Sequence, residues 1–356
     1  MYFKEKGLIT RNKTKPISIR HIAIGGNNKI AVQSMTNIPV ENIDGTLRQI
    51  SELTNVGCDI VRIAVPTLKA VKAFGEIRSK TDVSLVADIH FDYRLAIASI
   101  EAGADKIRIN PGNIATDRLN DVIDCAKRHN VAIRIGVNGG SVNRRFLEQY
   151  NDKTVALIES IKHYVKYFED RSFDNIVLSV KSSDIAETVY LNRQLASLGY
   201  PLHLGVTEAG PKEQGILKNS IGIGSLLLDG IGDTVRVSLT ANPVEEVIAA
   251  KEILSALGLR NSVTFVSCPK CGRCSVDLEK VANEVYRYVK NLECNIKVAV
   301  MGCEVNGPGE CKDADLGIAG ANGKFAFFKN GQVYKYVDNE NAAQEFIKEI
   351  DLLCKR

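Results

Sequence analysis

Lys106-Ile107-Arg108-Ile109-Asn110, a helix-patterned stretch from Arg118 to His129, and then Ala132-Ile133-Arg134-Ile135-Gly136-Val137 form the run on which the fold turns. Each short segment is almost continuously apolar, as a parallel strand buried on both faces must be. The stretch between them has the length of one crossover helix, so the run reads as a strand–helix–strand unit. The same alternation recurs on both sides. Upstream lie strand-like runs at Ile30–Met35, Ile60–Val65 and Ser84–Ile89, and downstream at Asn175–Val180, Leu202–Thr207 and Thr234–Ser238. Helical patterns fit between and after them at Asp44–Asn55, Leu68–Ser79, Tyr93–Ala102, Thr154–Phe168, Ile185–Leu198, Lys212–Leu228 and Val244–Leu257. Gly57, Gly103, Gly199 and Gly258 stand where left-handed helix caps are needed. Eight strand–helix repeats over residues 1–258 predict a TIM (β/α)8 barrel, a fold that usually takes about 250 residues. The alternative is an open doubly wound sheet. The count of eight favours closure, and no Gly-rich dinucleotide fingerprint follows the first strand.

Beyond Gly258 the pattern changes. A strand at Val263–Ser267 runs into Cys268-Pro269-Lys270-Cys271-Gly272-Arg273-Cys274, followed by a helix at Leu278–Leu292 with Asp277 as its expected cap. Next come a strand at Ile296–Met301, a loop around Cys303, and strands near Leu316–Ala319, Lys324–Phe328 and Val333–Val337. Asn330-Gly331 is a hairpin turn between the last two, and a helix at Ala342–Leu353 closes the chain. Residues 259–356 therefore read as a second, smaller α+β domain, joined by the short segment Gly258-Leu259-Arg260-Asn261.

Composition sets outer bounds. The 356 residues are 45% hydrophobic and 25% charged, ordinary for a globular protein. No apolar run reaches the ~18 residues of a membrane span, and Met1–Lys6 lacks the apolar core of a signal peptide. These features predict a cytoplasmic protein with no membrane partner. The net charge of +4 does not by itself argue for nucleic acid. In that compartment nine cysteines are expected to be core thiols, ligands or catalytic groups rather than disulfides. Cys58, Cys125, Cys294 and Cys354 read as packing or surface residues.

Four strands place Arg between β-branched residues: Val61-Arg62-Ile63, Ile107-Arg108-Ile109, Ile133-Arg134-Ile135 and Val235-Arg236-Val237. A guanidinium cannot face the apolar helix layer without large cost. In a barrel it points inward, towards the C-terminal mouth where active sites lie. Four such groups, with Lys181 at the end of the sixth strand, would repel one another unless an anion neutralised them. Arg forks match phosphate oxygens in a bidentate manner. The expected ligand is a phosphate compound carrying at least two charges, against the alternative that each Arg pairs with a core carboxylate. Asp88, His90, Asn110, Asn138, Glu208 and Ser238 gather at the same strand ends. Lys181 is also compatible with a Schiff-base lysine in a non-redox lyase or aldolase.

Cys268-x-x-Cys271 has ligand spacing, and the Gly- and Pro-rich segment Gly302-Cys303-Glu304-Val305-Asn306-Gly307-Pro308-Gly309-Glu310-Cys311 predicts an irregular loop able to wrap a cofactor. Zinc on Cys268, Cys271, Cys303 and Cys311, or an iron–sulfur cluster on three or four ligands, both suit the pattern. A zinc ribbon on nucleic acid is a weaker reading, because only Lys270 and Arg273 are basic near these cysteines.

The two cysteine segments, Cys268-Pro269-Lys270-Cys271-Gly272-Arg273 and Met301-Gly302-Cys303-Glu304-Val305-Asn306-Gly307-Pro308-Gly309-Glu310, closely resemble those of the bacterial hydroxymethylbutenyl diphosphate synthase family. The resemblance covers both domains. It implies a [4Fe-4S] cluster held by Cys268, Cys271, Cys303 and Glu310 and fed by a flavodoxin or ferredoxin. It also implies a pocket for a cyclic diphosphate of methylerythritol formed by Arg62, Asp88, His90, Arg108, Asn110, Arg134, Asn138, Lys181, Glu208, Arg236 and Ser238, with Asn306 near the cluster. The implied reaction is a two-electron reductive dehydroxylation in isoprenoid synthesis, with Glu208, Asp88 and His90 as candidates for proton delivery. A barrel's last helix returns the chain to the face opposite the arginines, roughly 20 Å from them. The short junction then leaves the cluster domain out of reach of its own barrel mouth. The resemblance implies a head-to-tail homodimer that resolves this.

Overall fold

A computed structural model of the chain describes residues 9–138, 142, 144–290 and 292–355, without the side chains of Asn138 and Arg144. The N-terminal reading at Met1–Lys6 lies outside the described residues. The chain divides into two compact units between Ile253 and Leu254.

The first unit holds the expected barrel. Its strands are β3 (Ala31–Met35), β4 (Ile60–Ala64), β5 (Ser84–Asp88), β6 (Lys106–Ile109), β7 (Ala132–Asn138), β8 (Ile176–Lys181), β9 (His203–Leu204) and β10 (Thr234–Val235). They pair in parallel in the order β8-β7-β6-β5-β4-β3-β10-β9. A bridge from Leu178 to Leu202, with Leu178 N–H donating to the Pro201 carbonyl at 2.8 Å, joins β8 to the β9 edge and closes the ring. The helices are α1 (Ile43–Asn55), α2 (Leu68–Ser79), α3 (Tyr93–Glu101), α4 (Thr116–His129), α5 (Arg144–Tyr150), α6 (Lys153–Glu169), α7 (Ile185–Leu195), α8 (Lys212–Leu228) and α9 (Pro243–Ala256). Asn42, Thr67, Asp92, Asp152 and Asp184 cap five of them through side-chain oxygens that accept backbone N–H groups.

Helix α5 and two further features were not foreseen. A hairpin, β1 (Ile17–Ile19) with β2 (Ile22–Ile24), precedes the barrel. Its Ile17, Ile19 and Ile24 pack on Ala31, Ile60, Val86, Ala132 and Val177, the lower inward residues of the strands, and so plug the N-terminal end. The strands β9 and β10 are shorter than expected, although Arg236 N–H still donates to the Leu204 carbonyl at 3.0 Å. Gly205 explains part of this: a Cβ there would lie 2.3 Å from the Arg236 carbonyl oxygen and 2.6 Å from Lys181 Nζ. The close approach that Gly205 permits makes room for the lysine.

In the second unit a mixed sheet runs β11 (Thr264–Ser267), β12 (Lys297–Met301), β13 (Leu316–Ala321), β14 (Lys324–Lys329) and β15 (Gln332–Asp338). The first three strands are parallel and the last two antiparallel. Asn330 and Gly331 both take left-handed φ, +51° and +77°, as the tight hairpin requires. Helices α10 (Leu278–Val289) and α12 (Asn339–Cys354) supply Val281, Val285, Phe346 and Ile350 to one core with Phe325 and Phe327. Phe327 and Phe346 meet edge to face, with centroids 5.7 Å apart. A smaller core of Ala299, Met301, Cys311, Ala314, Ala319, Ala326 and Phe328 involves a short helix, α11 (Gly307–Lys312).

Three expectations are corrected here. The segment after Cys303 is not irregular throughout, because Pro308 sits in the first turn of α11, where its missing N–H costs nothing. Asp277 precedes α10 but makes no side-chain capping bond; instead its N–H donates to Asn339 Oδ1 at 2.9 Å. Cys294 and Cys354 are joined as a disulfide with Cα atoms 5.5 Å apart. Sixty residues separate them, so only the docking of the last turn of α12 beside the segment before β12 brings them together.

Candidate functional site

Alternation along parallel strands places i and i+2 on one face, and register carries that face across the ring. Asp88, Arg108, Arg134 and Val177 are register partners, as are Met35, Arg62 and Val86. The inward positions therefore deliver Arg62, Asp88, Arg108, Arg134, Lys181, Arg236 and Ser238, together with His90, to one cavity of about 170 Å³. Ser179, Val206 and Thr207 line it as well.

The arginines are not equivalent. Asp88, 4% exposed, is shared: Arg108 Nη1 lies 3.4 Å from Oδ1, and Arg62 Nε lies 3.9 Å from Oδ2. Burial raises the Asp88 carboxyl, but Arg62, a hydrogen bond from His90, and then Arg108 and Arg134 outweigh it and hold the group well below its ordinary value. Arg108 Nη1 also approaches His90 Nδ1 at 3.4 Å, and His90 Nε2 lies 3.5 Å from Asp88. A guanidinium can only donate, so this contact suits the tautomer in which Nδ1 accepts and Nε2 carries the hydrogen facing Asp88. Arg236 pairs with Glu246 through two contacts of 3.3 Å, and Ser34 Oγ and the Leu239 N–H donate to the same carboxylate. Arg62 is pushed down to about 10 by burial, against the pull of Asp88.

Arg134 differs from all of these. It is 2% exposed, its Nε and Nη2 have no hydrogen-bond partner, and no carboxylate pairs with it among the described residues. Burial, then Arg62 and Arg108, press its proton affinity well below the ordinary value. Lys181 is pressed down in the same way, by burial and then by Arg134 and Arg236. Core carboxylate pairing thus accounts for Arg62, Arg108 and Arg236, and among the described residues leaves Arg134 and Lys181 in the cavity without a carboxylate partner.

In the second unit, Cys268 follows β11 and Cys303 follows β12, at the same ends of two neighbouring parallel strands. Gly302 N–H donates to Cys268 Sγ at 3.3 Å. The backbone amides of Asn306 and Val305, then the Arg273 guanidinium, draw the Cys303 thiol below its ordinary value, as a thiolate ligand requires. Cys271 is exposed. Cys274 donates its thiol to the Val276 carbonyl at 3.2 Å. Cys311 is fully buried, pressed against Gly317 and pushed up to about 12 by its burial. Glu310 is exposed on α11, and its recorded partner is Lys297 Nζ at 3.8 Å. Among the described residues no three His, Cys, Asp or Glu groups gather closely enough to hold one metal ion.

Compared with known proteins, residues 14–251 match the GcpE TIM-barrel domain and residues 264–352 match the GcpE protein C-terminal domain. The chain belongs to the GcpE family. It is 47% identical over 352 residues to the 4-hydroxy-3-methylbut-2-en-1-yl diphosphate synthase (flavodoxin) of Anoxybacillus flavithermus, spanning 98% of this chain and 97% of that one. The enzyme of the same name from Caldicellulosiruptor saccharolyticus is 49% identical over 345 residues, spanning 96% and 99%. Among solved structures, dihydropteroate synthase from Stenotrophomonas maltophilia superposes on 69% of this chain and 98% of its own, with a TM-score of 0.52 and 15% identity. That likeness shows the barrel fold alone.

Within this GcpE chain the remaining expected residues fall as follows. Asn110 is 2% exposed, and its Oδ1 accepts the Gly112 N–H at 3.1 Å. Glu208 is exposed in the loop after β9, beside the cavity wall rather than in it, and holds a left-handed φ of +52°. Such strain in a non-Gly residue is characteristic of functional loops. Asn306 stands at the start of α11, where its side chain makes no capping bond. The side chain of Asn138 lies outside the described residues. Sequence reasoning missed Glu246, Ser34 and Ser179. Nothing local marks Glu246, which reads as an ordinary first-turn acid of α9. No described helix is long and apolar enough to cross a membrane.

Proposed function

We propose that this chain catalyses the reductive ring opening of 2-C-methyl-D-erythritol 2,4-cyclodiphosphate to 4-hydroxy-3-methylbut-2-enyl diphosphate, in the cytoplasm, with reduced flavodoxin or ferredoxin as donor. Two electrons and two protons enter and one water leaves. The observation that carries the reading is Arg134, a buried guanidinium with no counterion among the described residues, in a mouth that already holds Arg62, Arg108, Lys181 and Arg236. A diphosphate supplies the missing negative charge, and the forks fix its orientation.

A [4Fe-4S] cluster suits the donor set of the second unit: Cys268, Cys271 and Cys303 would hold it, with Glu310 as the fourth ligand that the family resemblance implies. When bound, it supplies electrons singly, which ordinary side chains do not do. The Gly302 N–H donates to Cys268 Sγ, and the Asn306 and Val305 amides draw the Cys303 thiol below its ordinary value. Asp88 holds Arg62 and Arg108 in place, and Glu246 holds Arg236. His90, which lines the cavity with Asp88, and Glu208, in the loop beside it, are the proposed proton carriers. The test is anaerobic turnover of the cyclodiphosphate with reduced flavodoxin, with product followed by mass. A brown protein that forms the hydroxymethylbutenyl diphosphate only with donor present supports the reading; a colourless zinc protein with no turnover refutes it.

The head-to-tail homodimer belongs to the same proposal. Mixing an inactive Cys303→Ser chain with an inactive Arg134→Leu chain under subunit exchange should restore activity towards about a quarter of wild type, since half the dimers are mixed and each has one intact site. Zero activity with exchange demonstrated by mass would mean that each chain completes its own site.

A further inference from the structure

Cys294 and Cys354 take no part in the chemistry described above. Cys294 precedes β12, and Cys354 ends α12. Cys268 and Cys303 follow the opposite ends of β11 and β12. The length of a five-residue strand, roughly 16 Å, therefore separates the two sulfur sites. Packing brings Cys294 and Cys354 together. Ala343, Phe346 and Ile350 bury one face of α12 in the main core of the unit, and the Tyr288 hydroxyl of α10 donates to Asp351 in the last turn. On the other side, the Cys294 carbonyl accepts the Ile296 N–H at 3.1 Å, and the Ile296 carbonyl accepts the Thr264 N–H at 2.8 Å, which ties the segment to β11. The Cα atoms stand 5.5 Å apart, an ordinary disulfide separation.

Two properties of the pair bear on its use. Both side chains are only partly buried against the core, which leaves the sulfurs within reach of a small thiol or disulfide. In the cytoplasm proposed above, such a pair is kept open as two thiols and closes when the surroundings turn oxidising. The second property is what the bond encloses. The loop from Cys294 to Cys354 contains β12 to α12, with Cys303 and Glu310 inside it and Cys268 and Cys271 outside. A bound cluster would tie Cys268 and Cys271 to Cys303 across the β11–β12 pair. An oxidant that destroys the cluster removes that tie and, by the same chemistry, closes the other.

We infer that Cys294 and Cys354 form a reversible redox lock, open as two thiols while the cluster is in place and closed as a disulfide when oxidation removes it, so that the iron-free unit stays folded and can be reloaded. The protective role rests on the cluster reading of Cys268, Cys271 and Cys303; the opening and closing of the pair does not. The oxidant is a small-molecule disulfide. One cysteine thiolate attacks it and expels a thiolate, and the second cysteine then displaces the other half from the mixed disulfide. The protein loses two electrons and two protons, and the small disulfide becomes two thiols. A dithiol reductant runs the same exchange backwards. Closing the loop limits the freedom of the unfolded chain and so favours the folded one.

The test takes the full-length chain, iron-loaded or stripped by anaerobic chelation, through buffers of reduced and oxidised glutathione. Free thiols are alkylated and mapped by peptide mass, and unfolding is followed by heating. Oxidised glutathione should close Cys294 on Cys354 in the iron-free chain, and dithiothreitol should reopen the bond without unfolding. The closed iron-free chain should unfold at least about 5 °C above the open one. That difference should vanish in Cys354→Ser and in Cys294→Ser, which sets aside any bond between Cys268 and Cys271. After a cycle of oxidation and reduction, wild type should regain more iron than either variant. The open and closed wild type are the same sequence, so the comparison stands even where a variant folds poorly. A pair that stays as thiols in oxidised glutathione, a bond that dithiothreitol cannot open in the folded chain, or equal unfolding temperatures of the open and closed forms overturns the inference. A chain that takes up no iron under any condition overturns the cluster reading and the protective role with it, and the thiol map still reads the pair.

Discussion

Cys268→Ser, Cys271→Ser and Cys303→Ser are each expected to lose most of their bound iron and nearly all activity, while Cys274→Ser and Cys311→Ser keep the metal. A thiolate anchors one iron of a cluster, and a serine hydroxyl at neutral pH is a poor replacement. The structure separates the nearby thiols by environment. Cys303 has amides and Arg273 directed at its sulfur, Cys268 accepts from Gly302, and Cys271 is open to solvent. Cys311 faces the small core instead, where its fully buried thiol touches the Gly317 position. Cys311→Ser should therefore cost stability, by about 1–3 kcal/mol for a buried hydroxyl with no partner. Iron analysis, the absorbance at roughly 400 nm where cluster charge transfer falls, and thermal unfolding read the two effects separately. An iron-free Cys274→Ser beside an iron-loaded Cys303→Ser would show that the ligand set is wrong.

Arg134→Leu is expected to lose about 2–5 kcal/mol of binding to the diphosphate, roughly 30- to 5,000-fold in kcat/KM, with iron content unchanged. Its folding should not suffer, because the substitution removes a buried cation that has no partner among the described residues of the free protein. Arg236→Leu makes the contrast. It too should weaken substrate binding, but it leaves Glu246 buried and short of its cation, so its stability should fall. Arg62→Leu and Arg108→Leu fall between, since each leaves Asp88 with the other. Lys at position 134 should still be impaired, because a point charge does not reproduce the fork. Steady-state kinetics with iron and unfolding measurements on the four Leu variants decide the matter. Unchanged KM and kcat throughout would refute the anion site.

The sequence by itself determined the barrel, its inward arginines and the two cysteine segments, because each is a local signal. Continuous apolar runs such as Ile133–Val137 specify buried parallel strands, and alternation within Lys106-Ile107-Arg108 specifies which side chains share a face. What only the tertiary structure decided depends on groups far apart in the chain meeting across closed packing. Glu246 neutralises Arg236 because α9 lies behind β10. Among the described residues Arg134 is left without a carboxylate partner, because Asp88 and Glu246 pair with its neighbours. The hairpin at Ile17–Ile24 plugs the barrel, Cys294 meets Cys354, and Cys311 turns into a core while Cys303 turns towards amides. Periodicity is set by bonds along the chain, whereas charge compensation is set by distance through space. The first is written residue by residue, and the second exists only once the strands have closed.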